Sequence, residues 1–409
     1  MKTILKIAFL FLIIVGSCKK TDDQPYTLKY YGDAYEDIGY SVTIVSDGYV
    51  IAGQLTDITR SGNSISSSTK NMGVVKTGWN GNIVWKVSAG GKRNDWGSKL
   101  YQNTDGSLVC VGTYTDSTTV VQTDAFVVKI SSDGEIVWQK QFGGAGNQTG
   151  KDIVKTSDGY LVLCTTDLAN MTADSTGNQA GNTDIILMKI SDNGDYIETS
   201  PPYGFNGDDE GAAIKAANDG NYIVFGTTDR SEPGQGQGNG NLILLKVNSS
   251  GKAIQSRIIG SEEDEYAADI EVVSDGYLLA YTIGKDGDNQ EIWVKKLKND
   301  IYATPLFTNQ ILITNGSSTD NPAKVYAISK YMTDSFILSG NWGKSSAAKM
   351  LICEIDASGN LVAGHQMIKG ATGIQVAYDV ASGDDGYIIA VGKNSYDVNS
   401  MMTFLKFKF

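Results

Sequence analysis

Apolar residues along this chain come in short runs bracketed by Gly, Asn, Asp or Ser, with no sustained helical spacing. One phrase recurs, an acidic turn followed by an apolar run that closes on a small residue. It reads "SDGYVIAG" (46–53), "TDGSLVCVG" (104–112), "SDGYLVLCT" (157–165) and "NDGNYIVFG" (218–226). It returns as "SDGYLLAYT" (274–282), "TDSFILSG" (333–340) and "DDGYIIAVG" (384–392), so the Asp spacing is 51–61 residues. A second phrase follows each copy, an apolar run ending mostly in Lys, as in "DAFVVKI", "DIILMKI" and "NLILLKV". A third opens after a Gly or Asp turn, as in "GNIVWKVSAGG" and "GEIVWQKQFGG", and only six of these follow their partners. Each unit therefore reads as four short strands. Strand A precedes the Asp turn, B follows it, C is the run ending in Lys, and D is the "GxIVW" run.

Units of this length, each one four-stranded antiparallel sheet, predict an all-β, seven-bladed β-propeller. The seventh unit lacks a D strand, because the chain stops on "MMTFLKFKF". The missing strand lies at the other end, where "YTLKYYGDAYED" from residue 26 matches a D strand and its D–A loop. Pairing the N-terminal D strand beside the C-terminal C strand closes the ring and hides edges that would otherwise template aggregation.

The first 25 residues differ from the rest. "MKTILKIAFLFLIIVGSCKK" has Lys2 and Lys6, an apolar run from Ile7 to Val15, then small residues before Cys18. That layout is an export signal, too short to span a bilayer comfortably. The ending "VGSC" resembles the lipobox of bacterial lipoproteins, which implies cleavage before Cys18 and acylation of its thiol and new amino group. The expected organisation is a signal peptide at 1–17, a lipidated tether at 18–25 and one propeller domain at 26–409. The expected location is the cell envelope, lipid-anchored to the outer membrane and either periplasmic or surface-exposed. Several acyl chains hold a protein stably where one binds marginally. The other cysteines, Cys110, Cys164 and Cys353, sit inside apolar runs and read as core residues.

Net charge is −12, more negative still without the leader, and the Arg residues are Arg60, Arg93, Arg230 and Arg257 alone. That excludes nucleic acid, which requires a basic footprint.

The repeats resemble those of a large set of bacterial seven-bladed propellers. The "GNIVW" and "GEIVW" segments also look like the repeat of pyrroloquinoline-quinone-type propellers, which include quinoprotein dehydrogenases and an outer-membrane-assembly lipoprotein subunit. In that family the Trp packs between neighbouring blades, which implies this role for Trp85 and Trp138. The corresponding positions elsewhere are read as Ile197, Ile254 and Val362. Sialidase-like propellers fit less well. "SSDGEIVW" (131–138) breaks their Asp-box spacing, and four Arg leave little for an Arg triad.

The lone histidine, His365, falls on an outer D strand, which argues against Ser-His-Asp and His-metal chemistry. The Asn/Asp-Gly clusters "SDNGDY" and "KDGDNQ" complete no Ca²⁺ loop and read as hairpin turns, so neither metal nor cofactor is expected. The informative feature is which loops vary. A–B and C–D turns are tight, whereas B–C segments are long and polar at 54–71, 166–183 and 227–241. D–A loops share their face, the top, and are acidic or aromatic. They supply Asp33, Asp37, Asp95, Trp96, Asp208, Asp209, Glu210, Glu263 and Asp264 as candidate ligand-binding residues, with Trp96 as a stacking platform.

The resulting expectation is a monomeric, membrane-anchored binding or scaffolding protein whose top face meets a glycan or protein partner. The tether "KKTDDQP" (19–25) would join the bottom face and leave the top pointing away from the membrane. The alternatives are a carbohydrate-active enzyme with a carboxylate pair in the top channel, or a quinone-type oxidoreductase.

Overall fold

The computed structural model describes residues 26–32, 35–61, 64–116, 122–144, 146–167, 183–204, 207–230, 240–284, 290–313, 322–344, 346–370, 373–396 and 399–409. These form seven four-stranded antiparallel sheets, each made of consecutive strands except one. The exception is blade 7, whose A, B and C strands (Ile374–Ser382, Ile388–Tyr396, Asn399–Phe407) are completed by Thr27–Tyr31. The register runs from Thr27↔Lys406 to Tyr31↔Met402, so the terminal "MMTFLKF" is paired on both sides as expected.

The A strands of blades 1 to 6 are Ile38–Val45, Trp96–Gln102, Gln148–Thr156, Asp209–Ala216, Glu265–Val273 and Ala323–Tyr331. Neighbouring A strands touch all round the ring, which makes them its inner wall and puts the D strands outside. Both faces of a blade are covered by other blades, so the B and C strands read as unbroken apolar runs rather than alternating ones. The core is accordingly split into seven clusters, one in each seam. Cys110, Cys164 and Cys353 are fully buried in three of them, free of disulfides, and burial pushes their thiols up, Cys353 to about 12.

The recurring Lys and Asp find each other. The Lys ending strand C pairs with the Asp of the same blade's A–B turn: Lys76–Asp47 at 2.8 Å, Lys189–Asp158 at 2.9 Å, Lys246–Asp219 at 2.5 Å and Lys296–Asp275 at 3.0 Å. In blades 2 and 7 the lysine bonds the next blade's turn instead, Lys129 to Asp192 O and Lys406 to Trp79 O, and blade 6 has Glu354 where the Lys would be. Its partner is His365, whose Nδ1 lies 2.5 Å from Glu354 Oε2 and whose ring stacks on Phe409 at 5.0 Å. The lone histidine thus serves the seam between blades 6 and 7.

Trp85 and Trp138 do lock neighbouring blades. Each ring lies on the C–D turn glycine of the next blade, Gly134 and Gly194, both at positive φ (+90° and +76°). A Cβ there would sit 2.7 Å from the Trp85 ring and 2.9 Å from the Trp138 ring, so glycine is required twice over. The equivalent positions elsewhere differ from the sequence reading by one residue. Lys76 pairs with Trp85, Lys189 with Glu198, Lys246 with Gln255 and Lys296 with Phe307. Phe307 covers Gly359 as the tryptophans cover theirs, whereas Ile197 and Ile254 are exposed.

One expected loop is a hairpin. Residues 54–71 continue the B and C strands of blade 1, which run Gly48–Ser61 and Ser64–Thr77 in register. Their β-branched residues Thr56, Ile58 and Thr69 suit a ladder, a preference that the segment's overall polarity conceals.

Candidate functional site

Every A strand carries a bulge at the same place, one residue past its first paired positions. The ladder skips Tyr40, Ser98, Lys151, Ala212, Ala268, Tyr326 and Tyr378. A bulge inserts one residue and re-aims its side chain. On the innermost strands of a ring, seven such insertions furnish a layer around the axis.

That layer is asymmetric. Tyr378 lies 5.0 Å from both Tyr326 and Tyr40, so blades 6, 7 and 1 present a continuous aromatic arc. All three are half-buried. Burial pushes the Tyr378 and Tyr40 hydroxyls up, Tyr378 further because Tyr326 and Tyr40 adjoin it, so they remain neutral donors. Two residues ahead of each bulge, the strand position holds Trp96 in blade 2, Glu210 in blade 4, Tyr266 in blade 5 and Lys324 in blade 6. Lys324 Nζ sits 5.3 Å from the Tyr326 ring centre, and Glu210 pairs with Lys151 at 2.5 Å. Aromatic residues thus occupy this mouth from blade 5 round to blade 2, and an ion pair occupies blades 3 and 4.

Immediately past the bulges lies a charged belt. Asp152, Asp269 and Asp379 are buried, and each accepts the amide of the next blade's A strand: Ile214 N, Ile328 N and Val42 N. Ser41 accepts Leu100 N in the same way. Lys99 reaches Asp379 at 3.2 Å and Lys215 lies 3.7 Å from Asp269. Burial pushes Asp152 up against the pull of Lys215 and Lys99. Glu271, farther along the blade 5 strand, is pushed up to about 7 by burial, against the pull of Lys215.

The acidic D–A residues divide into two groups. Asp37, Asp95 and Asp209 share one position at the start of strand A and are buried, 1%, 0% and 0% exposed. They face inward and brace the corner. Asp37 accepts Thr56 N, and Asp95 accepts Gly91 N and Thr115 N, each at 2.6 Å. Burial pushes the Asp95 carboxyl up, and those two amides oppose it. Glu265 and Gln375 continue the same buried position in blades 5 and 7. Asp208, Glu210 and Glu263 are exposed, Asp264 is half-exposed, and Trp96 is half-buried. Asp33 and Cys18 lie outside the described residues, as do 168–182 and 231–239 of the long B–C segments. Among the described residues no three His, Cys, Asp or Glu side chains gather as a metal site.

Sequence reasoning picked Trp96 and Glu210 from this mouth and passed over the tyrosines. Aligned A strands carry the signal, "GYS", "VYA" and "AYD", but without the register a bulged Tyr looks like any strand Tyr.

Fold and site define a seven-bladed β-propeller with an aromatic-rimmed axial mouth. No protein-family model matches the chain, and a search of curated proteins finds no sequence match. Solved structures resemble it in fold. Raptor of Chaetomium thermophilum matches with a TM-score of 0.54 at 9% identity, over 93% of this chain. The match spans 30% of Raptor, so this chain corresponds to less than a third of that protein. A polysaccharide lyase, an ulvan lyase, matches at 0.47 with 9% identity, over 78% of this chain and 79% of its own. An α-L-arabinofuranosidase of Fusarium graminearum matches at 0.45 with 10% identity, over 93% and 94%. At 9% identity the likeness to Raptor speaks to fold alone.

Proposed function

We propose that this chain is a non-catalytic binding module of the cell envelope, anchored through Cys18, that takes a glycan at the top mouth of its channel. The observation that carries this reading is the arc Tyr326–Tyr378–Tyr40, extended by Trp96, facing the Lys151–Glu210 pair. Flat aromatic faces suit the apolar faces of sugar rings, and a few placed polar groups orient the hydroxyls. Below the mouth the belt carboxylates are engaged with lysines and backbone amides, which fits a floor better than a reaction centre.

Saccharide-array binding followed by calorimetry tests the reading. Tyr378→Ala and Trp96→Ala should each weaken the best saccharide about tenfold or more, on the order of 1.4 kcal/mol. Equal affinity in all three proteins would defeat it.

The rival, a carbohydrate-active enzyme, draws on one group. Glu271, at about 7, could hold a proton near neutrality as a general acid must. Turnover that Glu271→Gln abolishes while leaving saccharide binding intact would favour it.

A further inference from the structure

The outer wall of the ring has a feature that a binding mouth does not use. The D strands of blades 1, 2 and 3 begin with exposed apolar pairs: Ile83–Val84 (47% and 60% exposed), Ile136–Val137 (40% and 56%) and Tyr196–Ile197 (58% and 45%). The blade 7 D strand also exposes Leu28 and Tyr30, 39% and 44%, on the face it turns toward Lys369 of blade 6.

These patches adjoin. Lys29 of the blade 7 strand bonds Asn82, next to Ile83. Trp85 Nε1 donates to Ser132 O in the turn that leads to Ile136, and Trp138 covers Gly194 in the turn that leads to Tyr196. The same seam contacts that lock the blades therefore bring the apolar pairs of blades 1, 2 and 3 to successive positions around the outer wall. Exposed Lys86 and Lys140 flank them, able to lie along apolar surface while keeping their charge in water. Extended apolar exposure of this kind marks an interaction surface.

The chain says what covers it. The described fold begins at Tyr26, itself 41% exposed on this wall, and 25 residues precede it. Only 19–25 separate Cys18 from Tyr26, a reach of at most about 25 Å. A lipid anchor at Cys18 holds this wall at the bilayer, where aromatic, aliphatic and lysine side chains fit the boundary between headgroups and acyl chains. We propose that the outer wall of blades 7, 1, 2 and 3 lies against a lipid bilayer, side-on rather than on the bottom face that the tether alone suggests, a placement that rests on the lipid anchor at Cys18.

The three other cysteines are buried, so one introduced surface thiol can be labelled selectively. The full-length acylated protein, carrying Val84→Cys, Val137→Cys or, at the mouth, Glu210→Cys, is labelled with an environment-sensitive fluorophore and reconstituted into phosphatidylcholine vesicles. Flotation with the vesicles reads the anchor, and quenching by brominated phosphatidylcholine reads the wall. Labels at 84 and 137 should lose at least about half their emission, and the label at 210 should be unaffected. Flotation without quenching at 84 and 137 would overturn the docked wall while leaving the anchor standing. Failure to float would overturn both. Burial of this wall in a second copy, seen as a dimer in detergent that Val84→Asp dissolves, would also overturn the bilayer as its occupant.

Discussion

Lys99 on the inner strand of blade 2 lies 3.2 Å from Asp379 on the inner strand of blade 7, bypassing blade 1 between them. The same carboxylate accepts Val42 N of blade 1, so one side chain ties three consecutive blades across the closure point. Asp379→Ala would leave a buried amide and a partly buried ammonium unpaired, at a cost of about 2–4 kcal/mol in urea unfolding. Asp379→Asn keeps an acceptor for Val42 and should cost less than half as much. Equal effects would mean that the ion pair, not the amide bond, does the tying.

Closure itself can be tested at either end. The last strand places Met402, Phe404, Leu405 and Phe407 in the core, each no more than 1% exposed. A chain ending at about residue 400 should give no folded monomer by near-ultraviolet circular dichroism, and deletion of Thr27–Tyr31 should leave a folded fraction that aggregates through the bared strand. A stable, monomeric truncate would disprove the closure.

Two devices join turns to strands, and they should differ in worth. The Lys189–Asp158 pair is solvent-facing on its Asp side, 56% exposed, so Asp158→Ala should cost under about 1 kcal/mol and depend on salt. Trp138→Ala strips an aromatic ring from a seam and should cost about 2–4 kcal/mol independently of salt. Thermal unfolding in low and high salt separates the two.

Glu271 sets a pH dependence. Its folded value of about 7 lies above the ordinary carboxyl range, so between about pH 4.5 and 7 the folded chain binds a proton that the unfolded chain has released. Stability therefore falls as pH rises through that window and levels off above it. Glu271→Gln should remove the slope and raise stability at pH 8 by on the order of 3 kcal/mol. A slope unchanged by the substitution would assign it to other groups.

The repeated phrases were legible because each answers one local demand. The Asp turn makes a hairpin and, in four blades, pairs with the Lys two strands on; the apolar runs fill seams covered on both faces; the small residues within strand B let the strand A backbone come close. The seven-fold count and the closing partner of "MMTFLKF" follow from these. Parts of the site were less legible. Asp37, Asp95 and Asp209 share acidity with Glu210, yet one alternation of the strand turns the first three into the corner and leaves Glu210 in water.

By itself, then, the sequence determined the strands, their order and the ring, since these depend on short apolar runs and turn chemistry that repeat from unit to unit. Only the tertiary structure decided which residues meet at the axis. Tyr40, Tyr326 and Tyr378 are far apart in the chain and come together because a bulge re-aims each one and the closed ring sets their blades side by side. A bulge is a property of register between strands, and register across seven blades exists only once the circle is complete.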